Sequence, residues 1–119
     1  MEATGNSLSR AERLRGKKDI SRLFSQGRRG SHSCLHYCCL RPNGAETDRI
    51  IVSVPKKLFK RAVRRNLLKR RIREAYRTQK ALLGASEDHR DILFLYNSSE
   101  VLPFETIRAA VAEVLTRLS

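Results

Sequence analysis

The most constraining feature of the sequence is a strongly basic segment between Lys56 and Lys80 whose apolar residues recur at helical spacing. Twelve of its residues are Lys or Arg, and only Glu74 is acidic. At roughly 100° per residue, the apolar side chains fall on one stripe of a helix and many of the basic side chains on a neighbouring stripe. A fold that buries the apolar stripe must leave the basic one exposed, because unpaired charge is costly in a core.

This spacing predicts a long helix from Lys60 to Leu83, ended by Gly84. Its predicted core stripe consists of Leu68, Ile72, Ala75, Tyr76 and Leu83. The predicted exposed stripe, called the basic ridge below, consists of Asn66, Lys69, Arg70, Arg73, Arg77 and Lys80. Val63 and Leu67 fall outside the main apolar stripe, so we expect them to contact a neighbouring element or the start of the sheet.

Charge and length limit the classes of protein to which the chain can belong. Its 119 residues suit one domain, and the net charge of +13 is concentrated before Leu83. Such a field favours a polyanionic partner, a nucleic acid or an anionic membrane, over a merely solvated face. No apolar run approaches the roughly 18 residues of a membrane span, and no signal peptide is evident, so a cytoplasmic location is expected. Residues 1–12 are predicted to form a disordered tail, and residues 13–119 a single domain.

The remaining pattern predicts a small sheet covered by helices. A short helix is expected from Lys17 to Gln26, with a left-handed cap at Gly27. Strands are expected at Ser31–Leu40 and Arg49–Val54, paired as a β-hairpin, and at 91–97, whose unbroken apolar run suits a central position. A final helix should run from Phe104 to Leu118. The order α-β-β-α-β-α predicts an α+β sandwich.

Neither a metal site nor a catalytic constellation is predicted in the protein. The His and Cys side chains between residues 32 and 39 lie along one strand, and such ligands diverge too much to close a tetrahedron around zinc. The three Cys residues are better explained as small strand hydrophobes. Acidic residues are scarce and scattered, and no nucleophile motif or phosphate-binding glycine loop is present.

One segment resembles a known family. The stretch Val52-Ser53-Val54-Pro55-Lys56-Lys57 is followed by a helix containing Ala62-Val63-Arg64-Arg65-Asn66-Leu67-Leu68-Lys69-Arg70 and Arg73. This is similar to the protein subunit of bacterial ribonuclease P, whose signature is a strand ending in Lys-Lys, then Ala-Val-x-Arg-Asn-x-x-Lys-Arg-x-x-Arg. Arg13-Leu14, Asp19, Phe24, Gly27 and Tyr37 also fit the family pattern.

Several positions depart from that pattern. Leu67 stands where the family often has Arg, Ile20 where Phe is common, and Pro55 where Ser is common. The link from Lys57 to Ala62 is one residue longer. Leu67 removes one expected RNA contact. The resemblance implies a leader-binding cleft between the first helix and the sheet, and Ile20 offers this cleft less stacking surface than an aromatic residue would.

The resemblance implies a division of labour between two surfaces. The implied fold is an RNA-binding domain with a left-handed β-α-β crossover. The implied assembly is a ribonucleoprotein endonuclease, in which the RNA subunit uses Mg²⁺ to remove the 5′ leader of precursor tRNA. The implied contacts with the RNA subunit are Lys56, Lys57, Arg61, Arg64, Arg65, Arg70, Arg73 and Arg77. The implied contacts with the leader are Phe24, Tyr37, Asn66 and Lys69. The isolated protein is expected to be a monomer that does not bind membranes or cleave RNA by itself.

Two other classes of function remain open at this point. A ribosomal or general RNA-binding protein could contain a similar basic helix, and the Lys-Lys and Arg-Asn signature argues against it. A protein-only nuclease would have to cleave RNA without an RNA subunit.

Overall fold

The computed structural model describes residues 8–119. The elements in chain order are α1 (Lys17–Gln26), β1 (Arg28–His32), β2 (Leu35–Leu40), β3 (Arg49–Ser53), α2 (Ala62–Gln79), β4 (Asp91–Tyr96) and α3 (Phe104–Leu118). Short 3-10 turns lie at Arg10–Glu12 and, directly after α2, at Lys80–Leu83. The fold is α+β, and all three predicted helices are confirmed. None of the helices within residues 8–119 combines the length and the hydropathy that a bilayer crossing requires.

The four strands form one sheet in the order β1-β2-β4-β3. Strand β4 pairs antiparallel with β2 and parallel with β3, so its predicted central position is confirmed. Its residues Ile92, Phe94 and Tyr96 are buried on one face of the sheet and Leu93 on the other, which explains the unbroken apolar run. Helix α2 joins the parallel neighbours β3 and β4, forming a β-α-β connection. The left-handed sense of that connection stays a prediction from the resemblance.

The strand pairing corrects the sequence prediction in two respects. The predicted strand Ser31–Leu40 contains the turn of a hairpin between β1 and β2, where Ser33 has a φ of 55°. The hairpin predicted between this segment and Arg49–Val54 is wrong, because β4 lies between β2 and β3. No glycine or asparagine marks the tight turn, and β1 has the polar sequence Arg-Arg-Gly-Ser-His, so neither usual hairpin signal was present.

The two faces of the sheet are covered unequally. Helices α2 and α3 cover one face with the larger core cluster, which includes all five predicted core residues of the long helix. The other face holds a smaller cluster between α1 and the sheet, whose fully buried members are Leu14, Leu23, Cys38 and Leu93. Strand alternation divides β2 between them, since Leu35 and Cys39 join the larger cluster and Cys38 joins the smaller one.

Residues directly before the predicted domain boundary belong to the packed structure. The predicted tail spans residues 1–12, of which residues 1–7 lie outside the described residues. Leu8 is buried in the larger cluster, and Glu12 pairs with Lys80 at 2.6 Å. The backbone N–H of Leu14 donates to the Ile50 carbonyl at 2.9 Å, which places this segment along the edge of β3. The packed domain therefore includes residues 8–12, contrary to the predicted boundary at residue 13.

The two glycines predicted to end helices act in different ways. Gly84 has a φ of 78°, the left-handed conformation that favours glycine. Gly27 has a φ of −75°, so the predicted left-handed cap is wrong there. A Cβ at Gly27 would lie 2.5 Å from the Cys38 Sγ atom and from the Leu23 carbonyl oxygen. Glycine is needed at position 27 because α1 ends in close contact with β2.

Candidate nucleic-acid interface

The basic ridge lies on an exposed flank of α2. Asn66, Arg70 and Arg73 are exposed, and Lys69 is half-buried. Among the described residues, the side chains of Lys69, Arg70 and Arg73 have no hydrogen-bond or ion-pair partner. Two other ridge members are neutralised within the protein: Arg77 Nε donates to Glu74 Oε2 at 3.0 Å, and Lys80 pairs with Glu12. The free charge of the ridge is therefore concentrated at three residues.

Arg13 adds a further cation beside the ridge. It forms a parallel bridge with Ile50 at the edge of β3 and has an exposed side chain. Partial burial, and then the positive charge of Arg13, lower the pKa of Arg73. Two arginines from different segments thus approach each other without an acidic partner in the part of the chain that the structure describes, an arrangement that a bound phosphate would stabilise. Local sequence pattern does not predict that Arg13 lies near Arg73, because pairing at the edge of β3 brings the two together.

Lys56 and Lys57 are presented on a turn that is anchored at both ends. Val54 before the turn and Phe59 after it are buried, and the Phe59 ring packs against Tyr96 with ring centroids 6.0 Å apart. The backbone N–H groups of Leu58 and Phe59 donate to the Pro55 carbonyl at 3.1 and 3.4 Å. Because the flanking side chains point inward, both lysines are exposed.

The Arg65 side chain binds the backbone of this turn and also borders the exposed surface. Its Nη1 donates to the carbonyl oxygens of Phe59 at 2.6 Å and Lys60 at 2.9 Å. Because Nη1 is already engaged, the Nε and Nη2 edge of the guanidinium is the one that stays available for a phosphate. Arg61 and Arg64 are exposed, and their side chains have no protein partner within residues 8–119.

An open cleft lies between α1 and the sheet. It encloses about 250 Å³ and is lined by Phe24, Arg29, Gly30, His36, Tyr37, Cys38, Leu93 and Leu95. Helix α1 buries Leu23 and leaves the neighbouring Phe24 45% exposed at the cleft. An aromatic ring above an apolar floor can stack on an unpaired base with little sequence preference. Phe24 therefore offers the cleft an exposed stacking surface, and its contact with the leader stays a prediction.

Tyr37 borders this cleft, but its ring lies on the opposite face of the sheet. The side chain packs against the larger core cluster, and a Cβ added at Gly30 on β1 would lie 2.4 Å from the phenol. Hydrogen bonds with Tyr37 and then Glu113 raise the pKa of Arg117 on α3, consistent with that placement. The leader contact implied for Tyr37 is therefore not placed in this cleft, because strand alternation directs the His36 and Cys38 side chains there instead.

Asn66 and Lys69 do not line the cleft. Both belong to α2, which packs on the sheet face opposite α1. The predicted set of leader contacts thus separates in space, with Phe24 in the cleft and Asn66 and Lys69 on the basic ridge. Asn66 instead lines a separate groove with Val63, Arg64, Leu67 and Arg70.

A buried ion pair fixes the wall of the cleft. The Asp91 side chain is fully buried, and its two oxygens accept hydrogen bonds from Arg49 Nε at 2.8 Å and Nη2 at 2.9 Å. Arg49 Nη1 reaches Asp19 of α1 at 3.3 Å. The hydrogen bonds with Asp91 outweigh burial and raise the pKa of Arg49. Helix α1 is therefore joined to β3 and β4 by charge as well as by apolar contact.

The three thiols are buried and unpaired. Burial raises the pKa of Cys34 and Cys38, and it raises the pKa of Cys39 to about 11, so all three are protonated at neutral pH. This agrees with their interpretation as strand hydrophobes, because the thiolate is the reactive form. Within residues 8–119, no group of three His, Cys, Asp or Glu side chains is arranged to hold a metal ion.

These features define a class of protein, a basic α+β RNA-binding domain with a charged helix and an apolar cleft. Residues 8–119 match the family model described as Ribonuclease P. The chain is 39% identical to the ribonuclease P protein component of Chlorobaculum tepidum, covering 98% of this chain and 86% of that protein. It is 36% identical to that of Porphyromonas gingivalis, covering 94% and 86%. The chain belongs to the ribonuclease P protein family.

Solved structures agree with this assignment. The ribonuclease P protein of Thermotoga maritima superposes with a TM-score of 0.75 at 27% identity, over 91% of this chain and 98% of that one. The Staphylococcus aureus protein superposes with a TM-score of 0.75 at 23% identity, over 89% and 94%, which supports the fold. The resemblance noted in the sequence is confirmed: the chain is a subunit of a ribonucleoprotein endoribonuclease, and the family acts in tRNA 5′-leader removal.

Proposed function

We propose that the exposed cations of α2 and its flanks dock on the RNA subunit of ribonuclease P. The observation that carries the proposal is a set of cations on α2 and the turn before it that no acidic side chain among residues 8–119 neutralises: Lys56, Lys57, Arg61, Arg64, Lys69, Arg70 and Arg73. Arg65 adds its free edge, whereas Arg77 must exchange Glu74 for phosphate. Each phosphate neutralised releases counterions, so binding should weaken steeply with salt.

The cleft between α1 and the sheet is proposed to hold the single-stranded 5′ leader of precursor tRNA. Phe24 supplies a stacking surface, and the apolar floor from Cys38, Leu93 and Leu95 accepts bases without hydrogen-bond selection. Arg29 lies at the same cleft, and its Nη2 donates to the Phe24 carbonyl at 3.0 Å. This arrangement suits leaders of varied sequence.

Catalysis is assigned to the RNA subunit with Mg²⁺ bound to RNA. The protein would contribute by neutralising phosphates and by positioning the leader, which are binding effects. The high positive charge of the free protein opposes self-association, so we propose that it joins the RNA as a monomer, in the cytoplasm.

The direct test is cleavage of precursor tRNA at low Mg²⁺ by the RNA subunit alone, the protein alone and the mixture. We expect efficient cleavage at the mature 5′ end only in the mixture. Cleavage by the protein alone would contradict the assignment of catalysis to RNA. A mixture no better than the RNA alone would contradict the proposed function.

A second measurement locates the docking surface. Arg70→Ala should weaken assembly with the RNA subunit and make its salt dependence shallower by about one unit of slope, because one phosphate contact is lost. Unchanged affinity and slope would argue against the basic ridge as the docking surface.

A further inference from the structure

An apolar groove interrupts the positively charged surface of α2 on the flank that faces α3. Its walls are Val63, Leu67 and Phe104, and these three residues define the groove. Val63 is 71% exposed, so the expectation that it contacts a neighbouring element is wrong, while Leu67 and Phe104 are half-buried. Two adjoining cavities of about 390 and 500 Å³ share Leu67 and Arg70. Volumes of this size are typical of small-molecule sites.

The rim of the groove is positively charged and firmly held. Arg64 and Arg70 line it without any partner in the part of the chain that the structure describes. Arg71 Nη1 donates to the Leu102 carbonyl at 2.6 Å, which ties α2 to the segment before α3 and fixes the separation of the two walls. Glu74, the one acidic residue among the described residues that line the groove, is paired with Arg77.

The apolar walls and the positively charged rim of the groove favour one kind of occupant over the others. An apolar protein segment would have to bury unpaired arginines, which is costly. A second copy of this chain would bring +13 against +13. An unstacked nucleobase fits better, because its face can cover Leu67 and Val63 while its flanking phosphates meet Arg64 and Arg70.

We propose that the groove receives an unstacked base of the ribonuclease P RNA subunit. The inference rests on the docking surface proposed above and adds an apolar, base-directed contact to it.

The test measures affinity for the RNA subunit at a series of salt concentrations. Loss of an ionic contact changes the slope of affinity against salt, whereas loss of an apolar contact lowers affinity without changing that slope. Leu67→Ser should weaken binding roughly tenfold, because the base loses apolar contact area, while the slope against salt stays unchanged. Leu67→Phe should bind within about twofold of the unsubstituted protein, because it keeps an apolar surface. Arg70→Ala is the matched control on the same flank, with a shallower slope expected.

Chemical probing of the RNA bases gives a second measurement that does not depend on affinity. One base should be protected in the complex with the unsubstituted protein and become reactive with Leu67→Ser, while the phosphate footprint persists. Equal affinity and equal base protection for Leu67→Ser would overturn the inference. A change in the solution mass of the free protein with unaltered RNA affinity would overturn it too, and would indicate a contact between copies. If the unsubstituted protein fails to bind the RNA subunit, the proposed function itself fails.

Discussion

The two faces of the sheet differ in how they are covered, and the difference separates stability from binding. On one face, α2 and α3 bury a large apolar cluster that includes side chains of β2, β3 and β4. On the other face, α1 and Leu14 from the segment before it cover the sheet, with a cluster of four buried residues and an open cleft beside them. The incompletely covered face must be held partly by charge, through Arg49, Asp91 and Asp19, and it keeps apolar surface available to a ligand.

The ion pair of Arg49 with Asp91, through which Asp19 of α1 is joined to the sheet, is predicted to contribute strongly to the free energy of unfolding, although the cleft beside α1 is open. Asp91→Ala should lower the free energy of unfolding by about 3 to 5 kcal/mol, because Arg49 would lose its bidentate partner in a largely buried site. Urea denaturation measures the change. The matched control is Asp88→Ala, which breaks an exposed pair with Arg41 and should cost less than about 1 kcal/mol. Equal effects for the two would show that the buried pair does not hold α1.

Substitution of Tyr37 tests on which face of the sheet its ring packs. Tyr37→Ala should lower the free energy of unfolding by about 2 kcal/mol, because the ring packs against the larger cluster. Leader-bearing and leaderless substrates should then be bound with equally small losses. A selective loss for the leader-bearing substrate would place the ring in the cleft and contradict the separation of the faces.

Phe24 should show the opposite behaviour. Phe24→Ala should weaken binding of precursor tRNA by about 1 to 2 kcal/mol through lost stacking, measured with the assembled holoenzyme. Mature tRNA should be bound unchanged, and the free energy of unfolding should shift by less than about 0.5 kcal/mol, because the ring is exposed. Equal weakening for mature and precursor tRNA would argue against a leader contact.

The smallest effect is expected at the pair that ties residues 8–12 to the end of α2. Burial alone would raise the pKa of Glu12, but the ion pair with Lys80 and the hydrogen bonds from Ser9 outweigh it and lower the pKa below 4.5. The stabilisation is therefore present above about pH 4.5 and lost as the pH falls through the folded-state pKa.

Glu12→Gln should cost less than about 1 kcal/mol at neutral pH. The stability curves of Glu12→Gln and the unsubstituted protein, measured by urea denaturation, should converge in acid. Curves that stay parallel down to pH 3 would show that the carboxylate contributes nothing.

The helices were predictable from local sequence pattern, because the apolar residues within each helix recur at helical spacing. The core stripe of α2 was predictable residue by residue, since one helix period sorts Leu68, Ile72 and Tyr76 together. The β1–β2 hairpin was missed because its turn lacks glycine and β1 lacks apolar residues. The place of β4 between β2 and β3 depends on contacts far apart in sequence, which periodicity does not contain.

The candidate site shows the same limit. The exposed cations of α2 were predictable because composition and period suffice to place them. The engagement of Arg65 with Phe59 and Lys60, and the approach of Arg13 to Arg73, depend on how a loop and an edge segment pack. Tyr37 was assigned to the cleft because its face could not be known before the register of β2 was known.

The sequence by itself determined that one helix must present a basic surface, because its apolar and basic residues share a single period and cannot both be buried. Its signature residues also indicated the family. The tertiary structure alone decided which cations remain free, which side of the sheet is left open, and that Leu67 lines an open groove beside Phe104. Those properties depend on strand order and on hydrogen bonds between distant segments, and no local pattern encodes either.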